Sequence, residues 1–259
     1  MCKKPIGIFD SGVGGTSIWH EINQLLPNEN TIYLADSKNA PYGSKGKDAI
    51  IDLSIKNTEY LLNQNCKIIV VACNTATTNA IDYLRKNYPV PFIGIEPAIK
   101  PAALQTKTNA IGILATQGTL SSALFSKTAS MFSKSVNIIE QVGDGIVDLI
   151  ETGKLQSPEM KALLTIYLTP LINANIDHLV LGCTHYPYLM PLLLDILPKH
   201  VKIIDSGQAV ARQTKTVLQQ NNLLNTEINT KKNTFLTNGN PKIISTLLKS
   251  TYLVETCNF

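Results

Sequence analysis

The sequence is poor in charge, and the charge it has is nearly balanced. Asp, Glu, Lys and Arg make up 16% of 259 residues, against roughly 25% in an average domain. Twenty-three basic residues oppose 19 acidic ones, leaving a net charge of +4. The lysine pairs Lys3-Lys4 and Lys231-Lys232 are short and far apart, so no basic stripe marks a nucleic-acid partner. No apolar run reaches the roughly 18–20 residues that cross a bilayer, and no membrane partner is expected. Met1-Cys2-Lys3-Lys4-Pro5 passes straight into a strand-like IGIF instead of a signal-peptide apolar stretch. A cytoplasmic location is the expectation. No CxxC pair occurs among Cys2, Cys66, Cys73, Cys183 and Cys257, which speaks against a disulfide framework or a zinc site. The third glycine of a dinucleotide loop is missing as well. Asp10-Ser11-Gly12-Val13-Gly14-Gly15 leads to Ser17 where that glycine belongs, and Gly43-Ser44-Lys45-Gly46-Lys47 is not a P-loop. No lysine stands in a pyridoxal-phosphate context. Neither cofactor nor metal is expected.

What is present is a folded α/β protein, with 44% apolar residues excluding disorder. Short β-branched runs at 6–9, 31–35, 67–72, 91–95, 110–115, 136–140, 178–182 and 201–205 alternate with amphipathic stretches. Helices are expected at Ser17–Leu26, Asp48–Asn63, Thr77–Asn87, Leu120–Phe132, Asp144–Gly153, Pro158–Asn173 and Tyr188–Leu197. Continuous apolar strands between helices read as parallel sheet covered on both faces.

A weak internal duplication divides the chain. IGIFDSGVGGTS (6–17) is similar to IGILATQGTLSS (111–122), and KIIVVACNTATT (67–78) to HLVLGCTHYPYL (178–189). Ile8 precedes Cys73 by 65 residues, and Ile113 precedes Cys183 by 70. Two related α/β lobes follow, each a parallel-sheet sandwich, arranged about a pseudo-twofold with the active site between them. Glu96-Pro97-Ala98-Ile99-Lys100-Pro101 reads as the linker. After about Ser206 come another helix, an Asn-rich stretch, a strand at 234–237 and a terminal helix, all assigned back to the first lobe. The expected division is 1–97 plus 207–259, and 98–206.

Reactive groups of parallel α/β sheets collect at the carboxyl ends of strands. Asp10, Cys73, Thr116 and Cys183 all sit there. Cys73 and Cys183 each read as a thiol at the first turn of a helix, whose dipole, with His185 beside Cys183, lowers a thiol pKa. Cys66 and Cys257 read as packing residues, Cys2 as an exposed inert thiol, and His20, His178 and His200 as surface or core residues. Two thiols on opposite walls of a cleft suit removal of a proton from one face of a carbon and delivery to the other. Asp10, Ser11, Asn74, Thr75, Thr116 and Thr184 suit an amino-acid ligand without a salt bridge, and Gly43, in the turn at Pro41-Tyr42-Gly43-Ser44, could let backbone approach that ligand. A thiol hydrolase with Cys183 as nucleophile and His185 as base, or a two-lobed amino-acid-binding protein, uses many of the same residues.

GIFDSGVGG (7–15), ADSKNAPYG (35–43), VACNTAT (71–77), IEPAIKPA (95–102), LIETG (149–153), LGCTHYP (181–187) and DSG (205–207) together resemble the glutamate racemases of the cofactor-independent aspartate/glutamate racemase superfamily. The likeness runs in the family's order to about residue 215. It implies Cys73 and Cys183 as the two acid/bases, Asp10, His185 and Glu151 as their assistants, and glutamate held by Asp10, Ser11, Tyr42, Gly43, Asn74, Thr75, Thr116, Thr184 and His185. It further implies D-glutamate supply for peptidoglycan, no cofactor, and the family's common homodimer. Val142-Gly143-Asp144-Gly145 departs from the family, where a Cys-Pro pair is common, and the polar C-terminal region matches least.

Overall fold

The computed structural model describes residues 2–227 and 232–259; Met1, and Lys231 of the second lysine pair, lie outside them. The chain runs through β1 (Ile6–Asp10), α1 (Thr16–Leu25), β2 (Thr31–Ala35), α2 (Lys47–Asn63), β3 (Ile68–Val71), α3 (Asn74–Asn87) and β4 (Phe92–Gly94). It continues through α4 (Ile99–Gln105), β5 (Ala110–Ala115), α5 (Gln117–Leu120), α6 (Ala123–Ser130), β6 (Asn137–Val142), α7 (Ile146–Glu151), α8 (Pro158–Asn173), β7 (His178–Gly182), α9 (Met190–Ile196) and β8 (Lys202–Ile204). Last come α10 (Gly207–Gln220), β9 (Asn233–Thr237), α11 (Pro241–Leu247) and β10 (Val254–Thr256).

Two parallel sheets result, ordered β10-β9-β2-β1-β3-β4 and β6-β5-β7-β8. In each, the first strand of the lobe lies between the second and the third, with the fourth outside. The duplication seen in the sequence is therefore a repeated strand order. Every residue of β1, β3, β5 and β7 is buried, as helix-covered central strands require. Neighbouring residues of one strand enter different cores. Ile8 and Val70 belong to a cluster shared with Leu114, Leu179 and Leu181 of the second sheet, whereas Phe9 and Val71 face the outer layer of the first. Each such aliphatic side chain contributes roughly 1.5–3 kcal/mol on burial, so the apolar cluster common to both sheets holds the lobes together. β9 pairs with β2 and α10 packs on α1, which joins the C-terminal segment to the first sheet.

Several elements differ from expectation. The linker is shorter: α4 starts at Ile99 and takes in Pro101, because first-turn N–H groups have no intrahelical acceptor and a proline costs little there. The helix expected over 120–132 is two, since the Ser122 hydroxyl accepts from the Phe125 N–H and caps α6. α3 begins at Asn74, with Cys73 as its cap. The stretch at 188–197 is a 3₁₀ turn, Tyr186–Leu189, followed by α9. Edge strand β10 was not anticipated.

Candidate active site

Four strand ends meet between the sheets. Asp10 closes β1, Cys73 follows β3 by two residues, and Thr116 and Cys183 come directly after β5 and β7. A cavity of about 10 Å³, room for roughly one water molecule, lies among them. Ser11, Tyr42, Gly43, Cys73, Asn74 and Thr75 line it from one side, and Thr116, Cys183, Thr184 and His185 from the other. Pro41, read from the sequence as part of the turn before Gly43, and Val147 complete the wall; Val147, an ordinary apolar residue, carried no sequence signal. The volume is below the roughly 300–1,000 Å³ of common ligand pockets, so this is a closed form of the cleft. A cavity of about 460 Å³ bounded by α1, the 186–189 turn and the segment after α11 is larger, but no thiol among the described residues lines it.

The two thiols differ in surroundings. Cys73 is 4% exposed; its Sγ accepts from the Ala76 N–H at 3.5 Å and lies 3.6 Å from Ser11 Oγ. Burial, reinforced by the neighbouring Asp10 carboxylate, pushes this thiol well above its ordinary range. The helix start was expected to lower it. One N–H at 3.5 Å does not offset full desolvation, and Cys73 is held as S–H. Cys183 does not head an α-helix: a turn and the short 3₁₀ segment follow it. Its Sγ lies 3.7 Å from Nδ1 of His185. Burial would lower the His185 pKa, but the hydrogen bonds to Cys183 and Glu151 raise it well above the usual imidazole range, placing a cation beside Cys183.

Asp10 and Glu151 stand behind the cavity wall. The fully buried Asp10 accepts from the Gly15 N–H at 2.7 Å, and the Thr184 hydroxyl lies 3.4 Å from both of its oxygens. Burial raises its pKa. Glu151, the last residue of α7, reaches across the seam so that Oε1 takes the Val13 N–H at 2.6 Å and lies 2.6 Å from His185 Nε2. That reach depends on Gly12, where a Cβ would fall on the Glu151 carboxylate, and the His185 ring is admitted by Gly14, where a Cβ would collide with the ring and its backbone. Gly43 is similarly constrained, since a Cβ would come within 2.8 Å of Thr116 Cβ. Thr75 makes hydroxyl contacts of 2.8 and 3.3 Å across the seam to Thr116 and Thr119, which lie 3.0 Å from each other. Asn74 is 3% exposed, yet neither polar atom of its side chain has a partner among the described residues. A buried amide of this kind calls for a polar ligand.

The remaining cysteines and histidines fall outside this constellation. Cys66 is buried, which pushes its thiol up to about 12. Cys257 is half-buried against the Tyr60 hydroxyl, and Cys2 is half-buried where exposure was expected. His20 and His200 are exposed and His178 is in the core. The described residues contain no cluster of His, Cys, Asp and Glu suited to a metal ion, and no helix long and apolar enough to cross a membrane.

A family model described as Asp/Glu/Hydantoin racemase matches residues 6–214. A glutamate racemase of Herpetosiphon aurantiacus is 44% identical over 241 residues, which is 93% of this chain and 95% of that protein. Another, from Ectopseudomonas mendocina, is 49% identical over 226 residues, covering 87% and 86%. Among solved structures, Escherichia coli glutamate racemase in complex with L-glutamate and the activator UDP-MurNAc-Ala superposes with a TM-score of 0.87 at 30% identity, covering 98% of each chain. A glutamate racemase isoform of Bacillus anthracis gives 0.88 at 29% identity, covering 100% of this chain and 98% of that one.

Proposed function

The chain belongs to the Asp/Glu/hydantoin racemase family, and on that premise we propose that it interconverts L- and D-glutamate by a two-thiol mechanism without a cofactor. The substrate follows from the relatives, which are named glutamate racemases at 44 and 49% identity. The mechanism follows from one observation above the rest: Cys73 and Cys183 line the same small cavity from different lobes.

In the L to D direction the Cys183 thiolate takes the α-proton. The C–H bond breaks, its electron pair stays on the substrate as a carbanion delocalised into the carboxylate, and an S–H bond forms. Cys73, held as a thiol by its burial, gives its proton to the opposite face. The reverse reaction exchanges these roles. His185, charged and 3.7 Å from Cys183, balances the thiolate, and Glu151 fixes that ring through Nε2. Asp10 serves the Cys73 side. Ser11, Tyr42, Gly43, Asn74, Thr75, Thr116 and Thr184 supply hydroxyls, amide and backbone N–H groups to the substrate carboxylates and the developing charge, as a closed cavity requires. The lobes of this reading comprise 1–97 with 207–259, and 98–206. The product serves peptidoglycan synthesis in the cytoplasm, and the working form is a homodimer.

The test is a circular-dichroism assay with L-glutamate, D-glutamate and L-aspartate. Both glutamate enantiomers lose their signal while aspartate retains it. Equal turnover of aspartate, or stable glutamate signals, would sink the assignment.

A further inference from the structure

Beside the cavity lies a buried polar cluster of which the reaction above uses only Tyr42. Asp36 follows β2 directly, is 1% exposed, and its backbone N–H bonds the carbonyl of Asp10 at 3.1 Å. Its side chain collects three donors. Oδ1 accepts from Asn39 Nδ2 at 2.8 Å and Asn238 Nδ2 at 2.5 Å, and Oδ2 accepts from the Tyr42 hydroxyl at 2.5 Å. Tyr42 also accepts from Asn57 Nδ2 at 3.1 Å. Asn238 comes from the loop after β9, two hundred residues along the chain, and its Oδ1 holds the Lys38 N–H at 2.9 Å.

Resting on the racemase reading, we propose that Asp36 is a positioning residue for the reaction: clamped by Asn238, it fixes Tyr42 and thereby the Tyr42–Ser44 turn that walls the cavity. A buried carboxylate with three donors is a rigid anchor. The part it anchors has no slack, because Gly43 abuts Thr116 of the facing lobe too closely to admit a Cβ. A small displacement of Tyr42 therefore moves the cavity wall that holds the substrate, and loosening a hydrogen bond from that wall weakens binding about tenfold. The C-terminal segment, least legible in the sequence, thus takes part in shaping the substrate site.

Asp36→Asn separates positioning from general stability. An asparagine that keeps its oxygen toward Asn39 and Asn238 presents its NH₂ to Tyr42, so the tyrosine loses its charge-assisted acceptor. Asp177 is the control: 8% exposed, it also has three donors, Thr106 Oγ1 at 2.7 Å and the Lys107 and Thr108 N–H groups at 2.5 and 3.1 Å, but it precedes β7, at the strand ends away from the cavity. Racemisation of L-glutamate and Tm are measured for wild type, D36N, Y42F, D36N/Y42F, N238A and D177N. D36N and N238A raise KM about tenfold and change kcat less than about threefold. D36N adds nothing further in the Y42F background, the non-additivity of residues acting through one another. D177N lowers Tm and leaves KM unchanged. A wild-type KM in D36N, or an equal D36N effect with and without the Tyr42 hydroxyl, overturns the proposal. If D36N does not fold, N238A, which keeps the carboxylate, decides it alone by the same KM criterion. A wild-type protein that racemises neither glutamate enantiomer overturns the function itself, and the proposal with it.

Discussion

Two chemically identical side chains acquire different surroundings. Cys73 has a buried carboxylate for a neighbour and keeps its proton; Cys183 has a cationic imidazole. His185 carries this asymmetry, and its charge depends on Glu151. Because the folded pKa of His185 is raised, the imidazole stays protonated through the usual range near 6.5 and loses its charge only at higher pH. The alkaline limb of kcat/KM is therefore expected above that range in wild type. Glu151→Gln, which removes the facing charge, should move the limb toward acid; an unmoved limb would show that Glu151 does not set the His185 charge. The thiols, Asp10 and the threonines were legible because parallel strands deliver their following residues to one edge. Glu151 was not legible without family resemblance. It acts from the last turn of a helix across 138 residues to Val13, and no local pattern encodes that reach.

At the scale of elements, the strands were the readable part of the sequence. β2, β5 and β7 begin and end where the apolar runs do, since their burial leaves few polar side chains inside them: Thr31 and His178 at the strand starts, and the Tyr33 hydroxyl, which donates to the Gly12 carbonyl. Elements set by capping or by pairing at an edge were not readable: the break at Ser122 depends on one hydroxyl, and β10 gains its strand state from β9. One junction also depends on ions. Lys67, just before β3, places Nζ 2.6 Å from Glu29 Oε2 and 2.8 Å from the carbonyls of Cys2 and Leu223, with both side chains 1% exposed. Glu29 in turn accepts the Asn225 N–H. This pair joins the N-terminal segment, the loop after α1 and the chain leaving α10. Lys67→Ala strands a buried carboxylate and should cost about 3–5 kcal/mol in urea unfolding, whereas Lys67→Met with Glu29→Gln should cost less. An Ala variant of wild-type stability would show that the pair contributes nothing net.

The whole molecule places its chemistry in the seam between two lobes of like strand order. That arrangement resolves the shortage of charge in the sequence: the walls offer hydroxyls, an amide and backbone N–H groups, and no Lys or Arg among the described residues lines the cavity. The closed cavity, about 10 Å³, also requires the lobes to part before a substrate enters. The thiols, 4% and 7% exposed at Cys73 and Cys183, should accordingly be alkylated by iodoacetamide at a rate that saturates with reagent, limited by opening. A rate strictly proportional to reagent up to high concentration would mean that the thiols are open to solvent. The central claim is that both thiols, on opposite faces of one carbon, are needed for inversion. It is tested most directly by incubating each glutamate enantiomer in D₂O with wild type, Cys73→Ser and Cys183→Ser, following α-deuterium by NMR and optical rotation together. Wild type should incorporate α-deuterium as rotation decays, and each variant should lose racemisation; racemisation that survives the loss of either thiol, or that proceeds with no α-deuterium incorporated, would contradict it.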